Sequence, residues 1–260
     1  MKLITIITLL IAMTSLTATA APDHNLYTAI LAEHVQEGRV DYDDLKSDPR
    51  LAEYLGQLAS TNPADLPSES ARLAFWLNAY NAYTLKLVIE HQPKKSITQI
   101  GKGGLILGSI FKTTAWDIRF AEIGGKKYTL NEIEHEIIRQ KFQDSRAHFA
   151  LNCASGSCPV LRPEAYTADD LDDQLDDQAR DFLADSSRNK FDLKTKTAWL
   201  SSIFSWYQKD FGKDKYDALL AASEYAPDDI RKSIEADPRS WKIKFLSYDW
   251  SLNSTSEAAE

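Results

Sequence analysis

The sequence predicts an α+β fold, a mostly helical single domain with a small antiparallel or mixed sheet. Three observations carry this. Apolar residues recur at helical spacing over several long stretches, and short alternating runs bounded by turn residues lie between them. No internal repeat, low-complexity tract or Gly/Ser linker divides the body of the chain.

Element by element, 26–40 reads as an amphipathic helix on Leu26, Ile30, Leu31 and His34. A short helix around Leu51, Tyr54, Leu55 and Leu58 follows within 41–60. Pro63 and Pro67 punctuate a turn and Ser68 is placed to cap the next helix, Glu69–His91. That helix carries the broad stripe Leu73, Trp76, Leu77, Tyr80, Thr84 and Leu87 and is stopped by Pro93. The period then changes: 116–123 alternates, Gly124-Gly125 turns and 126–129 returns, which predicts a hairpin. Residues 131–142 read as a helix buried through Leu130, Ile133, Ile137 and Phe142, and 147–152 as a short buried strand. A helix over 168–185, a hairpin over 191–200, a helix over 201–211, helices near Asp217 and Asp228 and a last strand at 242–248 complete the reading.

The N-terminus predicts export. Lys2 precedes an apolar run from Leu3 to Met13, and Ala18-Thr19-Ala20 supplies the small-x-small pattern at which a leader is cut. The run is too short for a membrane-spanning helix, which needs about 20 residues. The expected organisation is therefore a signal peptide at 1–20, a single domain at 21–253 and a disordered tail at 254–260, with a destination outside the cytoplasm, periplasmic or secreted. No membrane insertion is expected. Such a chain buries enough surface to fold without a staple. Its 38 acidic against 30 basic residues argue against a nucleic-acid partner, which a basic face would have to hold. The seven aspartates between Asp169 and Asp181 suit a solvated helix face and lack calcium-loop spacing.

Three segments put polar groups where a core pattern would not. Asn78 and Asn81 share one face of the Glu69–His91 helix; buried amides of this kind tie loops together or point into a site. In 132–139, His135 and Arg139 lie one turn apart with Glu132 and Glu134 beside them, an arrangement that suits an oriented base or a surface ion cluster. In 148–159 the predicted strand runs from His148 through Asn152 into a small-residue loop, Cys153-Ala154-Ser155-Gly156-Ser157-Cys158. Free N–H groups of such a loop can hold an oxyanion, and Cys153 is placed as a nucleophile. Strand alternation turns His148 away from Cys153, which leaves His135 as the preferred base. The only two cysteines equally suit a Cys153–Cys158 disulfide. His135, His148, Cys153 and Cys158 are zinc-type ligands, but their spacing fits no common zinc pattern, and no metal or other cofactor is expected.

These runs, together with 75–82, 200–207 and 245–253, resemble in order the domain of unknown function 547 family, whose members include exported bacterial and plant proteins. The resemblance implies a site like that of thiol proteases or transglutaminases, on a papain- or transglutaminase-like arrangement with rearranged elements, and a small peptide or glutathione-like thiol as ligand. Matched onto this sequence, the family motif retains Cys153, Glu134, His135 and Arg139; Val160 departs from it, where a second proline is frequent. The expected function is an exported thiol-dependent hydrolase or acyltransferase. Cys153 is its nucleophile, His135 its base and Glu134 or Glu132 the orienting acid; Asn78, Asn81, Arg139, His148, Asn152 and Ser155 bind substrate. The alternative is a non-enzymatic ligand- or protein-binding domain with a structural Cys153–Cys158 bridge.

Overall fold

The computed structural model describes residues 21–101 and 113–256. The expected leader at 1–20 and the final residues 257–260 of the expected tail lie outside the described residues.

Asp23 caps α1 (His24–His34) by accepting from the Asn25 N–H. The helix ends six residues earlier than its periodicity predicts. Residues 35–40 form a hairpin instead, β1 (Val35–Gln36) against β2 (Arg39–Val40). Its two-residue turn needs positive φ at both positions, and Glu37 and Gly38 adopt 50° and 76°. Helices α2 (Tyr42–Leu45) and α3 (Pro49–Ser60) follow, capped by Asp41 and Asp48.

Helix α4 (Glu69–His91) has its predicted bounds. The Ser68 hydroxyl accepts from the Ala71 N–H, and Gln92 ends the helix in the left-handed conformation before Pro93. Every residue from Leu73 to Leu85 is buried, so α4 is enclosed on all sides where a one-sided stripe was expected. The Gly124-Gly125 hairpin is present as β3 (Ala121–Ile123) and β4 (Lys126–Tyr128).

The helix expected over 131–142 is a π-helix, Glu132–Phe142. Its wider turn buries Glu134 alongside Ile133, Ile137 and Ile138. The strand expected over 147–152 is not a strand. Asp144 accepts from the Arg146 N–H through its side chain and from the Ala147 N–H through its carbonyl, which starts one helical turn, α5 (Ala147–Ala150). A short apolar run does not distinguish the two conformations by period alone.

Next come α6 (Leu171–Ala184), β5 (Lys190–Asp192) and β6 (Thr197–Leu200). The helix predicted over 201–211 breaks at Tyr207 (φ −109°, ψ 25°) into α7 (Ile203–Trp206) and α8 (Gln208–Phe211). Helices α9 (Lys215–Ser223) and α10 (Asp228–Ala236) lead to β7 (Lys242–Phe245). Strand β7 lies parallel to β6, which pairs antiparallel with β5, giving a mixed sheet of order β5-β6-β7. The fold is thus the mostly helical α+β domain that the sequence predicts. No helix among the described residues is long and apolar enough to cross a membrane.

Two apolar cores form. One gathers α1, α3, α4 and the π-helix; the other gathers Phe149, the end of α6, β6, α7 and α9. The chain after β7 joins them, running back across the cysteine loop to β2. Gly156 and Ser157 donate N–H to Ser251 and Asp249, Asn253 donates to Ala154, and Val40 donates to Asn253. The expected disordered tail is therefore tied down at its start: Ser254 is buried, and the Thr255 N–H bonds the Val40 carbonyl at 3.0 Å.

Candidate functional site

The cysteine loop is set by amides. Asn81 donates to the Ala150 carbonyl (3.0 Å) and accepts from the Asn152 N–H (2.9 Å), clasping the end of α5 to α4. Asn152 donates to the Pro159 carbonyl (2.8 Å) and accepts from the Ala154 N–H (3.0 Å), closing the loop on itself. Ala154 adopts φ 58°, a conformation that costs a non-glycine residue about 1 kcal/mol and is held here by bonds on both its N–H and its carbonyl. Asn78 makes an equivalent clasp on both backbone groups of Tyr166. Asn78, Asn81 and Asn152 are thus engaged as structural ties, and none of them lines the cleft beside the cysteines.

Cys153 and Cys158 are joined by a disulfide. Cys158 is buried and Cys153 is partly exposed. The Cys153 sulfur also lies 3.2 Å from the Ser155 hydroxyl and 3.3 Å from the Tyr248 hydroxyl. Ser155 is buried and paired with Leu252, so it supports the sulfur instead of meeting substrate. Two of the loop N–H groups expected to form an oxyanion hole are already used: Ala154 bonds Asn152, and Gly156 bonds Ser251.

The disulfide opens into a cleft of about 270 Å³. Its lining includes Tyr80, Glu134, His148, Trp206, Tyr207 and Tyr248. It sits at the seam of the two cores, since Tyr80 and Leu151 belong to one and Ile203 to the other. His148 reaches it because α5 is a helical turn; the alternation argument that turned this histidine away from Cys153 fails with the strand. The imidazole stacks on Tyr207 (4.2 Å between centroids), and its Nε2 lies 2.7 Å from Asp210 Oδ2.

Asp210 is the carboxylate that sequence reasoning missed. It also accepts from Arg139 Nε (2.5 Å) and Nη2 (3.0 Å). Burial pushes its carboxyl up, but the hydrogen bonds from His148 and Arg139 outweigh burial and hold it well below the usual carboxylate range. Arg139 is consequently committed to Asp210 and stacked over Tyr207, and it is not a free clamp for a substrate carboxylate. Nothing in sequence spacing marks Asp210, 62 residues from His148.

His135 does not line the cleft. It faces Arg139, whose Nη1 is 2.9 Å from its Nδ1, and lies on the half-exposed side of the π-helix. Glu134 does line the cleft, at 7% exposure. Tyr80 and Tyr207 are hydrogen-bonded to it; burial first, then its charge, pushes both hydroxyls well above their ordinary range. Burial likewise raises Tyr248 to about 12, so this hydroxyl stays a proton donor beside Cys153.

The four zinc-type side chains do not converge, since two form the disulfide and His135 lies away from the cleft. Among the described residues, Glu33, His34 and Asp48 bring ligand atoms together elsewhere, but Arg50 bonds both carboxylates and supplies the positive charge there.

No curated protein and no solved structure matches the chain. Residues 63–183 match the model of the family described as protein of unknown function, DUF547, which supports membership of that family.

Proposed function

We propose that the chain is an exported thiol-dependent acyltransferase or hydrolase acting on a small peptide or thiol-bearing ligand. Cys153 is its nucleophile, His148 its base and Asp210 the group that orients the base. The observation that carries this reading is the shared cleft: Cys153 and His148 both line it, and His148 is fixed from behind by Asp210. With Nε2 engaged by Asp210, Nδ1 is the nitrogen that exchanges a proton.

The disulfide holds this centre in reserve. A small external thiolate attacks the more exposed Cys153 sulfur, and Cys158 leaves as a thiolate. The Cys153 N–H, 2.7 Å from the Cys158 sulfur, stabilises that leaving charge. A second external thiolate then releases Cys153, so two external thiols become one external disulfide and both cysteines are reduced. His148 takes the proton of the Cys153 thiol, the thiolate attacks a substrate carbonyl carbon, and the leaving amine takes that proton from His148 as the carbon–nitrogen bond breaks. Water or a second nucleophile resolves the thioester. Tyr248 is the hydroxyl placed to donate to the sulfur or to the developing oxyanion.

A second reading rests on the bridge itself: if Cys153 stays bonded to Cys158, the cleft is a binding pocket without chemistry. An activated ester separates the two. Reduced protein treated with p-nitrophenyl acetate is expected to gain one acetyl group on Cys153 by mass spectrometry, at least about tenfold more slowly in His148→Ala. Acetylation that is absent, or indifferent to His148, leaves the pocket reading.

A further inference from the structure

The cleft carries a recognition signature that thiol chemistry does not use. Three of the chain's six tryptophans line it, Trp116, Trp206 and Trp250. Trp206, Tyr248 and Trp250 form one cluster: ring centroids are 4.7 Å apart between Trp206 and Tyr248, 4.6 Å between Tyr248 and Trp250, and 5.8 Å between the two tryptophans. Trp116 meets Trp250 edge-on at 5.9 Å. The two rim tryptophans are unusually open for their size, Trp206 at 50% and Trp250 at 37% exposure. Keeping such rings in water forgoes apolar burial worth about 25 cal/mol per Å², which points to an occupant that covers them.

Charge identifies the occupant. Among the described residues no lysine or arginine lines the cleft, and the one carboxylate there is Glu134. Tyr80 and Tyr207 hold that carboxylate at the floor. Arg139, the nearest cation above Tyr207, is committed to Asp210. Aromatic faces attract cations through their quadrupole, most strongly for indole, and a carboxyl group behind them has the same preference. An anion is repelled by Glu134, and a neutral sugar can offer its hydroxyls to the carboxylate but has no charge for the aromatic faces to attract.

We propose that this cleft binds an organic cation, an alkyl- or quaternary-ammonium group, with its charge directed at Glu134 and its carbon substituents against Trp206, Tyr248 and Trp250. On the thiol-dependent reading, the ammonium belongs to the substrate or to the amine that accepts the acyl group. The site itself needs no reaction at Cys153, so it stands or falls separately.

The test uses the full-length oxidised protein, disulfide intact, and reads tryptophan emission during titration. The probes are choline chloride and 3,3-dimethyl-1-butanol, which replaces the charged nitrogen by carbon at nearly the same shape; sodium chloride matches the ionic strength. Choline is expected to bind at least about tenfold more tightly than the alcohol. Trp206→Ala, a change at an exposed ring, is expected to weaken choline about tenfold without altering the fold. In Glu134→Gln the preference for choline over the alcohol is expected to fall towards unity. Equal binding of the two probes, no binding of choline, or a preference that survives Glu134→Gln overturns the proposal. Choline binding without any acetylation of the reduced protein would keep this site and remove the thiol reading.

Discussion

Asp210 accepts from His148 and from two nitrogens of Arg139, so one carboxylate fixes both the candidate base and the guanidinium over Tyr207. Asp210→Asn replaces an acceptor-only group by one whose NH₂ faces donors. The expected loss at neutral pH is about 2 kcal/mol, since removing one partner of a partly buried charged network strands the others. The pH dependence follows from the direction of the shift. The folded carboxyl lies below its unfolded value, so its stabilisation is present above about pH 4 and is lost as pH falls through the folded value. Wild type and variant melting temperatures should therefore be far apart at pH 7 and converge towards pH 2. A gap that is constant with pH would mean that Asp210 is not an ionised partner in the fold.

Elements explain which parts of the site could be read from sequence. Helix α4 was legible because its cap, its stop and its apolar residues all agree, and the Gly124-Gly125 hairpin because its turn chemistry is local. The inward carboxylate of the 132–142 segment was legible as a polar cluster but not as the π-helix that selects Glu134 over His135 for the cleft. Nor did local pattern reveal that α5 is a turn of helix. With a helical turn there, His148 lines the cleft and His135 does not. The break at Tyr207 was also hidden, although it leaves Trp206 at the rim and Asp210 against His148. The sequence leaves Asn78 and Asn81 as either ties or ligands, and in the structure both tie neighbouring backbone. Asn81→Ala leaves the Ala150 carbonyl and the Asn152 N–H unpaired in the interior, for an expected cost of about 3 kcal/mol. Chemical denaturation checks this; a loss under about 1 kcal/mol would mean the clasp does not position the cysteine loop.

At the scale of the molecule, the cleft is assembled from both cores. Glu134, His148 and the cysteines lie within the matched 63–183 segment, whereas Asp210 and the rim aromatics Trp206, Tyr248 and Trp250 come from later in the chain. Every pairing that completes the site therefore spans long sequence separations, such as the 95 residues between Cys153 and Tyr248, which spacing arguments do not see. The central claim is that the cleft activates Cys153 through His148 and not through His135. Its most direct test is the rate of iodoacetamide alkylation of reduced Cys153 against pH, in protein carrying Cys158→Ser so that one thiol is in view. The account predicts reaction well below pH 8, where an ordinary thiol is mostly protonated. It predicts that His148→Ala moves the curve to higher pH by about one unit, with His135→Ala close to the parent. Coincidence of all three curves with that of a free cysteine, or a larger shift for His135→Ala, would contradict it.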